Sequence, residues 1–541
     1  MSDYVVHLPI LSIIIPLIAG GLMILLKEKR RSLNSFISFA SVFAQLIVAV
    51  NLLMYTSGFL EVEWTNNIAI YLLGNWQAPI GIVLVADQLA ALMLCLTALL
   101  GLTSLTFSTA LWNRVGIHFY PLFQFILMGL NGAFLTGDLF NLFVFFEVFL
   151  AASYGLLLHG SGERRVGSSM LYITINMVGA SLFLIGISMI YSITGTLNFA
   201  EIAAKAGALR AEDRLLFETA CSILGVAFLI KAAAWPLNFW LPNAYSAASA
   251  PVAAMFAVMT KVGIYALLRV GSLLLPSGAP AAFGGEWMFF IGIATLVFGT
   301  LGVLAEKQIG RLAGYSVILS SGVLLSALGM PGVSMTGPTL YYLISSVLAS
   351  SALFLLVELI SRIDSYESAV LSVSMEAFGL DDEDEDTDYS GQVIGLSIPG
   401  PFAFLGVAYI IAALVMIGLP PLSGFIGKIG LLSNALELNN YEISGIHTWL
   451  LLGFVILSGL AALISYMRAG ILQFWVPEKV STPKLSFREA APIILLLSCC
   501  ILMSIFANSV MGLMNNIAIS LDEPFRYINA VMQQQPSPGG H

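Results

Sequence analysis

The sequence predicts an all-α polytopic membrane protein of about 14 transmembrane helices, and three observations carry that expectation. Apolar runs of about 20 residues, each long enough to cross a bilayer core, recur from one end of the chain to the other. Of 541 residues, 58% are hydrophobic and 10% charged, at a mean hydropathy of +0.93, whereas soluble domains carry roughly 25% charged residues. Lysines and arginines crowd into alternate loops, as the positive-inside rule requires. No polar stretch is long enough to fold by itself, so residues 1–541 are read as a single integral membrane domain.

The spans are expected at 7–26, 33–57, 79–107, 117–136, 139–158, 168–192, 217–240, 250–273, 286–305, 312–330, 339–361, 400–432, 449–467 and 489–514. The first lacks a small-residue cleavage site and is expected to be retained. In this arrangement Lys27, Lys29, Arg30, Arg31, Arg114, Arg164, Arg165, Lys307, Arg311, Arg362, Arg468, Lys479, Lys484 and Arg488 share one side. Lys205, Arg210, Arg214 and Arg526 lie on the other. An even number of spans then puts both termini on the non-cytoplasmic side. The segment 193–216 is expected to form a short interfacial helix outside, and 362–398 an acidic cytoplasmic loop.

The net charge of −9 comes mostly from that loop, where Asp381 to Asp388 (DDEDEDTD) supplies seven negative charges. Without a basic patch interleaved with aromatics, nucleic acid is not an expected partner. Cys95, Cys221, Cys499 and Cys500 sit in apolar helices without CxxC spacing, so neither a disulfide framework nor a metal site is supported. The five histidines fall at helix ends, in loops or at the terminus.

Residues 229–261, LIKAAAWPLNFWLPNAYSAASAPVAAMFAVMTK, hold the strongest functional signal. A charge at the bilayer centre costs roughly 2.5–3.5 kcal/mol on insertion scales, so it persists only when paired, hydrated or used. This stretch places Lys231 and Lys261 on either side of Pro236, Pro242 and Pro251. Prolines remove backbone donors, and irregular backbone at membrane depth is tolerated where it is buried in protein or lines a watery cavity. Glu147 lies nine residues beyond Asp138 at the helix mouth, which is about 13–14 Å at 1.5 Å per residue and places it near the midplane. A carboxylate there needs a cationic partner, and a Glu–Lys pair that forms and separates would switch the lysine between holding and releasing a proton. Lys428 stands in MIGLPPLSGFIGKIGLL, a second long helix broken by Pro420 and Pro421. Two broken helices in corresponding places suggest inverted five-helix repeats, 117–273 against 286–467. Asp87, Glu358 and Arg269 lie nearer helix ends, where capping or snorkelling suffices.

The motifs FFE, IKAAAWPLNFWLPNAYSAASAPVAA, MTKVGIYALLR, EKQIGRLAGYS and GLPPLSGFIGK together resemble a known family. It comprises the antiporter-like membrane subunits shared by respiratory complex I, membrane-bound hydrogenases and Mrp-type multisubunit cation/proton antiporters. The D-type branch of the Mrp (Mnh, Pha) antiporters is the most similar. The resemblance implies fourteen helices, two inverted five-helix repeats, broken helices 7 and 12, and a midplane charged chain. On this sequence that chain maps to Glu147, Lys231, Lys261 and Lys428. Family members often carry His or Lys in the tenth and eleventh helices, where this chain offers Ser316, Ser320, Ser321, Ser345, Ser346, Ser350 and Ser351. Asp138, Ser316, Ser320, Ser346, Ser350 and Lys307 therefore stand as accessory candidates. The implied function is a proton-translocating subunit of a Na+(K+)/H+ antiporter in a bacterial inner membrane, without redox chemistry or cofactor of its own. Its implied partners are other hydrophobic subunits, H+, a monovalent cation and the lipid bilayer.

Two alternatives remain open. A homologous proton-pumping subunit of NADH:quinone oxidoreductase or a membrane-bound hydrogenase would co-purify with redox-active chains. A lipid or solute flippase would tolerate neutralised midplane charges.

The acidic run has no apolar anchors and reads as a solvated segment. Deleting residues 379–389 is expected to leave assembly and ion exchange within about twofold of the parent. Loss of the assembled complex on native gels would make the run a docking element.

Overall fold

The computed structural model describes residues 5–26, 30–61, 64–112, 118–160, 162–274, 286–331, 335–378, 399–439, 445–474 and 485–536. The first part of the chain forms α1 (Leu8–Leu25), α2 (Arg31–Thr56), strands β1 (Ala69–Leu72) and β2 (Val83–Ala86), α3 (Gln88–Ser108), α4 (Phe119–Leu135), α5 (Leu139–Leu157) and α6 (Glu163–Thr194). The middle forms α7 (Phe199–Ala206), α8 (Ala211–Lys231), α9 (Leu241–Ala247), α10 (Ala250–Leu274), α11 (Glu286–Ala305), α12 (Ile309–Leu328) and α13 (Thr336–Phe378). The remainder forms α14 (Gly400–Ile417), α15 (Ser423–Asn439), α16 (Gly445–Phe474), α17 (Phe487–Ile505), α18 (Ala507–Asp522) and α19 (Pro524–Gln533).

Among the described residues twelve helices are long and apolar enough to cross a membrane. The two expected spans outside that count are α4, a shorter apolar helix of 17 residues, and α8, which opens on Glu212, Asp213 and Arg214. Four expected spans change shape. Residues 79–87 are not helical: Val83–Ala86 pair antiparallel with Ala69–Leu72, and Asp87 caps α3 by accepting the Ala90 N–H at 2.9 Å. The Val-Leu-Val-Ala segment suits a strand, and the Asp side chain supplies the helix start. The span expected at 217–240 ends at Lys231, and 400–432 divides into α14 and α15 around Gly418–Leu422. The span expected at 489–514 divides at Phe506, whose φ of −98° and ψ of 30° leave the helical region. In the other direction α13 runs as helix to Phe378, so the loop expected from 362 begins later, and the acidic run Asp381 to Asp388 lies outside the described residues. The short helix expected within 193–216 is α7, held by an i,i+4 pair between Lys205 and Glu201 at 2.9 Å.

The centre of the bundle is α10, buried along nearly its whole length and packed on α3, α8, α12 and α13. Its far end carries Arg269, expected to snorkel. Instead it is buried and donates to both oxygens of Asp87 at 2.7 and 2.6 Å. Tyr265 and Tyr527, the latter from the C-terminal helix α19, place their rings 5.5 and 5.4 Å from its guanidinium carbon. A bidentate, fully hydrogen-bonded pair is the arrangement in which two buried charges tolerate apolar surroundings.

Removing one member of such a pair leaves an uncompensated charge, a loss of about 3–5 kcal/mol. Asp87→Ala is expected to lower the melting temperature of the detergent-purified protein markedly. The double variant Asp87→Leu with Arg269→Met should recover all but the ~1 kcal/mol of the lost helix cap. Parental melting of Asp87→Ala would show that the pair carries no stability.

Candidate functional site

Helix α8 stops at Lys231 because the chain turns immediately after it. The N–H groups of Ala232, Ala233 and Ala234 fold back onto the carbonyls of Phe228, Ile230 and Leu229, and Ala233 takes a φ of +54°. Pro236 follows and prevents the helix from resuming. The Trp235 N–H released by this turn is taken up by the Thr295 hydroxyl of α11 at 2.8 Å. Lys231, 6% exposed, donates to the Asn176 side-chain carbonyl of α6 at 3.0 Å and stands 5.9 Å from the centre of the Phe146 ring. Gly263 lets α10 approach this turn: a Cβ there would lie 2.5 Å from the Phe228 carbonyl oxygen.

Lys261, 1% exposed, lies in the middle of α10. Its ammonium donates to the hydroxyls of Ser320 and Ser321 on α12 at 2.7 and 3.1 Å. A serine hydroxyl accepts from an ammonium and can rotate to donate to a neutral amine, so these partners suit either protonation state. On the same helix, Ser316 shares a 2.7 Å hydrogen bond with the Tyr466 hydroxyl of α16.

The second break has the same logic. Gly418 ends α14 with a φ of +81°, and Lys428, one turn into α15, reaches back to the Ile417 carbonyl at 2.7 Å. A cation is favoured at a helix C-terminus, where unpaired carbonyls carry partial negative charge. Beside this contact, Ser350 donates to the Ser346 carbonyl and lies 3.7 Å from the Met416 sulfur. The Ser345 and Ser423 hydroxyls share a 2.7 Å hydrogen bond across α13 and α15.

Glu147 and Lys231, expected to form and break a pair, are not in direct contact. Among the described residues Glu147 forms no ion pair with Lys231, which rests on Asn176 instead. One carboxylate oxygen of Glu147 is buried without a hydrogen-bond partner. The two charges remain within electrostatic reach. Asp138 caps α5 through the Asn141 N–H at 2.9 Å, and Lys307 is exposed in the α11–α12 turn. An open pocket lies further along the chain, at the α9–α10 joint. It has a volume of about 510 Å³ and is lined by Tyr245, Ser246, Ala253, Phe354 and Glu358, with none of the three lysines in its wall. Asn176 and Thr295 were not picked out from the sequence. The available signal was a side-chain amide and a hydroxyl inside otherwise apolar spans.

Residues 136–453 match the family model described as NADH:quinone oxidoreductase/Mrp antiporter, TM. The chain is 46% identical to a protein of Rhizobium meliloti named as the D component of a probable K(+)/H(+) antiporter, over 98% of both chains. It is 34% identical to the D component of the Na(+)/H(+) antiporter of Alkalihalophilus pseudofirmus, over 98% of this chain and 100% of that one. Its fold is similar to a chain of the Mrp complex from Dietzia sp. at a TM-score of 0.82 and 25% identity, over 98% and 100% of the two chains.

An added Cβ at Gly418 would lie 2.7 Å from Lys428 Cδ and 3.1 Å from Nζ, at a φ disfavoured for any L side chain. Gly418→Ala is therefore expected to lower stability by at least ~1–2 kcal/mol and to push Lys428 off the Ile417 carbonyl. Gly400→Ala, with open space around its Cβ, should melt like the parent. Equal melting of both variants would contradict the close packing of Lys428 on the break.

Proposed function

The chain belongs to the NADH:quinone oxidoreductase/Mrp antiporter transmembrane family as a D-type antiporter subunit, and on that premise we propose that it moves protons along Glu147, Lys231, Lys261 and Lys428 to drive exchange of a monovalent cation. One observation carries the reading: each of the three lysines is buried in the bundle and held by neutral acceptors, not by a carboxylate. A lysine meant only to bind two helices would be expected to sit in a saturated ion pair, as Arg269 does. Neutral partners leave its charge free to come and go. Ser320 extends the path from Lys261, while Ser346 and Ser350 lie beside the Lys428 break. The two relatives whose names specify K(+) and Na(+) support an alkali cation.

Lys231 is the last residue of the half-helix α8, and Lys428 reaches the end of the half-helix α14; buried charges at two broken helices are the architecture of inverted-repeat transporter sites. That likeness supports repeats at 117–273 and 286–467. Glu147 lies on the outer stripe of α5 with the exposed residues Phe140, Val144 and Ala151. Facing lipid, a carboxylate there would be costly, so the stripe is best explained by another hydrophobic subunit of the complex covering it. The loop charges argue for an inner-membrane orientation with both termini on the non-cytoplasmic side.

Glu147→Gln keeps shape and removes charge. Because Lys231 already has Asn176, the variant is expected to assemble at the parental level while exchange in inverted vesicles falls more than ~tenfold. Glu147→Asp should retain partial exchange. The double variant Glu147→Gln with Lys231→Met should assemble and stay inactive, and parental exchange by that double variant would sink the relay.

A further inference from the structure

The joint between α9 and α10 is held from both sides by opposite charges. The guanidinium of Arg165, on α6, donates to the Ala247 carbonyl at the C-terminal end of α9 at 2.9 Å. The carboxylate of Glu358, on α13, accepts the Ala250 N–H at the N-terminal end of α10 at 3.1 Å. Each charge stands at the helix end whose partial charge it complements. Trp112 links the two: Arg165 lies 4.9 Å from its ring centre, and its indole N–H points at both Glu358 oxygens at 2.7 Å. Glu358 is fixed in turn by Arg362, which also pairs with Glu489 of α17. The cavity of about 510 Å³ opens beside this assembly, with Tyr245 and Ser246 of α9 and Ala253 of α10 in its wall.

We propose that Trp112, Arg165 and Glu358 form a clamp on the α9–α10 joint that sets where Lys261 stands, with Glu358 as the positioning residue. The proposal rests on the reading of Lys261 as a member of the relay. The opposite end of α10 is pinned through Arg269 to Asp87, and Ser351 and Tyr245 donate to its Ala254 and Phe256 carbonyls, so loss of the Ala250 contact tilts the helix about Arg269 only as far as its packing on α3, α8, α12 and α13 yields. Lys261 lies about 12 Å from that pivot, and a tilt of about 5° moves its backbone by about 1 Å. That displacement breaks the 2.7 Å contact with Ser320. A misplacement of about 1 Å can cost on the order of a hundredfold in rate. The clamp thus acts at a distance, through the angle of a rigid helix, and touches none of the proton-carrying groups.

The test uses the complete antiporter complex in inverted vesicles, with exchange normalised to assembled complex and measured across pH. Among the described residues the groups facing Glu358 are Arg362 on its own helix, Glu489 on α17, Arg165 on α6, Trp112 and the Ala250 N–H, with Glu163 of α6 in the wall of the same cavity. Glu358→Gln is expected to assemble, to exchange at least ~tenfold more slowly, and to shift the pH profile. Glu358→Asp, which keeps the carboxylate, should restore a large part of the rate. Trp112→Phe keeps the ring under Arg165, loses the N–H, and should show a smaller loss of the same kind. A Glu358→Gln complex with parental rate and profile overturns the clamp, as does a rate that falls only in proportion to assembly with an unchanged profile. Lys261→Met, measured in parallel, separates the two levels. If it is inactive while Glu358→Gln is parental, the clamp alone fails; if it exchanges normally, the relay reading fails and takes the clamp with it.

Discussion

Backbone that leaves the helix inside a membrane must find partners within the protein, because hydrocarbon supplies none. That constraint organises both breaks in this chain. At the first, the Trp235 N–H is met by Thr295 from α11. At the second, the Ile417 carbonyl is met by the Lys428 side chain from the continuing half-helix. Each break thereby draws a polar group into the interior, and at the second that group is Lys428, one of the candidate residues.

The buried charges fall into two kinds. Asp87–Arg269 and the Glu358–Arg362–Glu489 set are saturated with hydrogen bonds from opposite charges. Opening either would leave a bare charge at several kcal/mol, so such groups suit a fixed scaffold. Among the described residues, Lys231, Lys261 and Lys428 meet an amide oxygen, two hydroxyls and a carbonyl, and one Glu147 oxygen has no hydrogen-bond partner. Sparse neutral solvation makes the charged and uncharged states closer in energy, which is the property a proton carrier requires. Saturated pairs and one sparsely solvated lysine share one helix. Along α10, Glu358 holds the Ala250 end, Asp87 holds Arg269, and Lys261 stands between them.

Much of the architecture was legible in the residues. Apolar runs marked most of the membrane-length helices, Pro236 and Pro420–Pro421 marked the breaks, and isolated ionisable groups in those runs made Glu147, Lys231, Lys261 and Lys428 candidates. The family resemblance drew attention to the serines on α12, and Ser320 and Ser321 are the groups that receive Lys261. The errors came where local signals overlap. Residues 79–87 read as the start of an apolar span, yet Val83–Ala86 pair with Ala69–Leu72. Hydropathy does not distinguish a buried strand from a buried helix turn, and the partner strand lies outside any short window. Phe506 ends α17 with no Pro or Gly beside it to announce the break.

What the sequence determined by itself was composition and order: a membrane-embedded helical chain, interrupted twice, with ionisable residues set inside apolar runs. Those properties depend on residue type and spacing, which one-dimensional reading captures. Which group answers each charge was decided only by the tertiary structure. Glu147 and Lys231 read as a pair because each needs a counterpart, and the fold instead gives the lysine to Asn176 of α6. Arg269 read as a snorkelling residue, and the fold joins it to Asp87 across 182 positions of chain. A hydrogen bond is satisfied by whatever donor or acceptor lies within about 3 Å in a usable direction, and helix packing, not sequence separation, sets that distance.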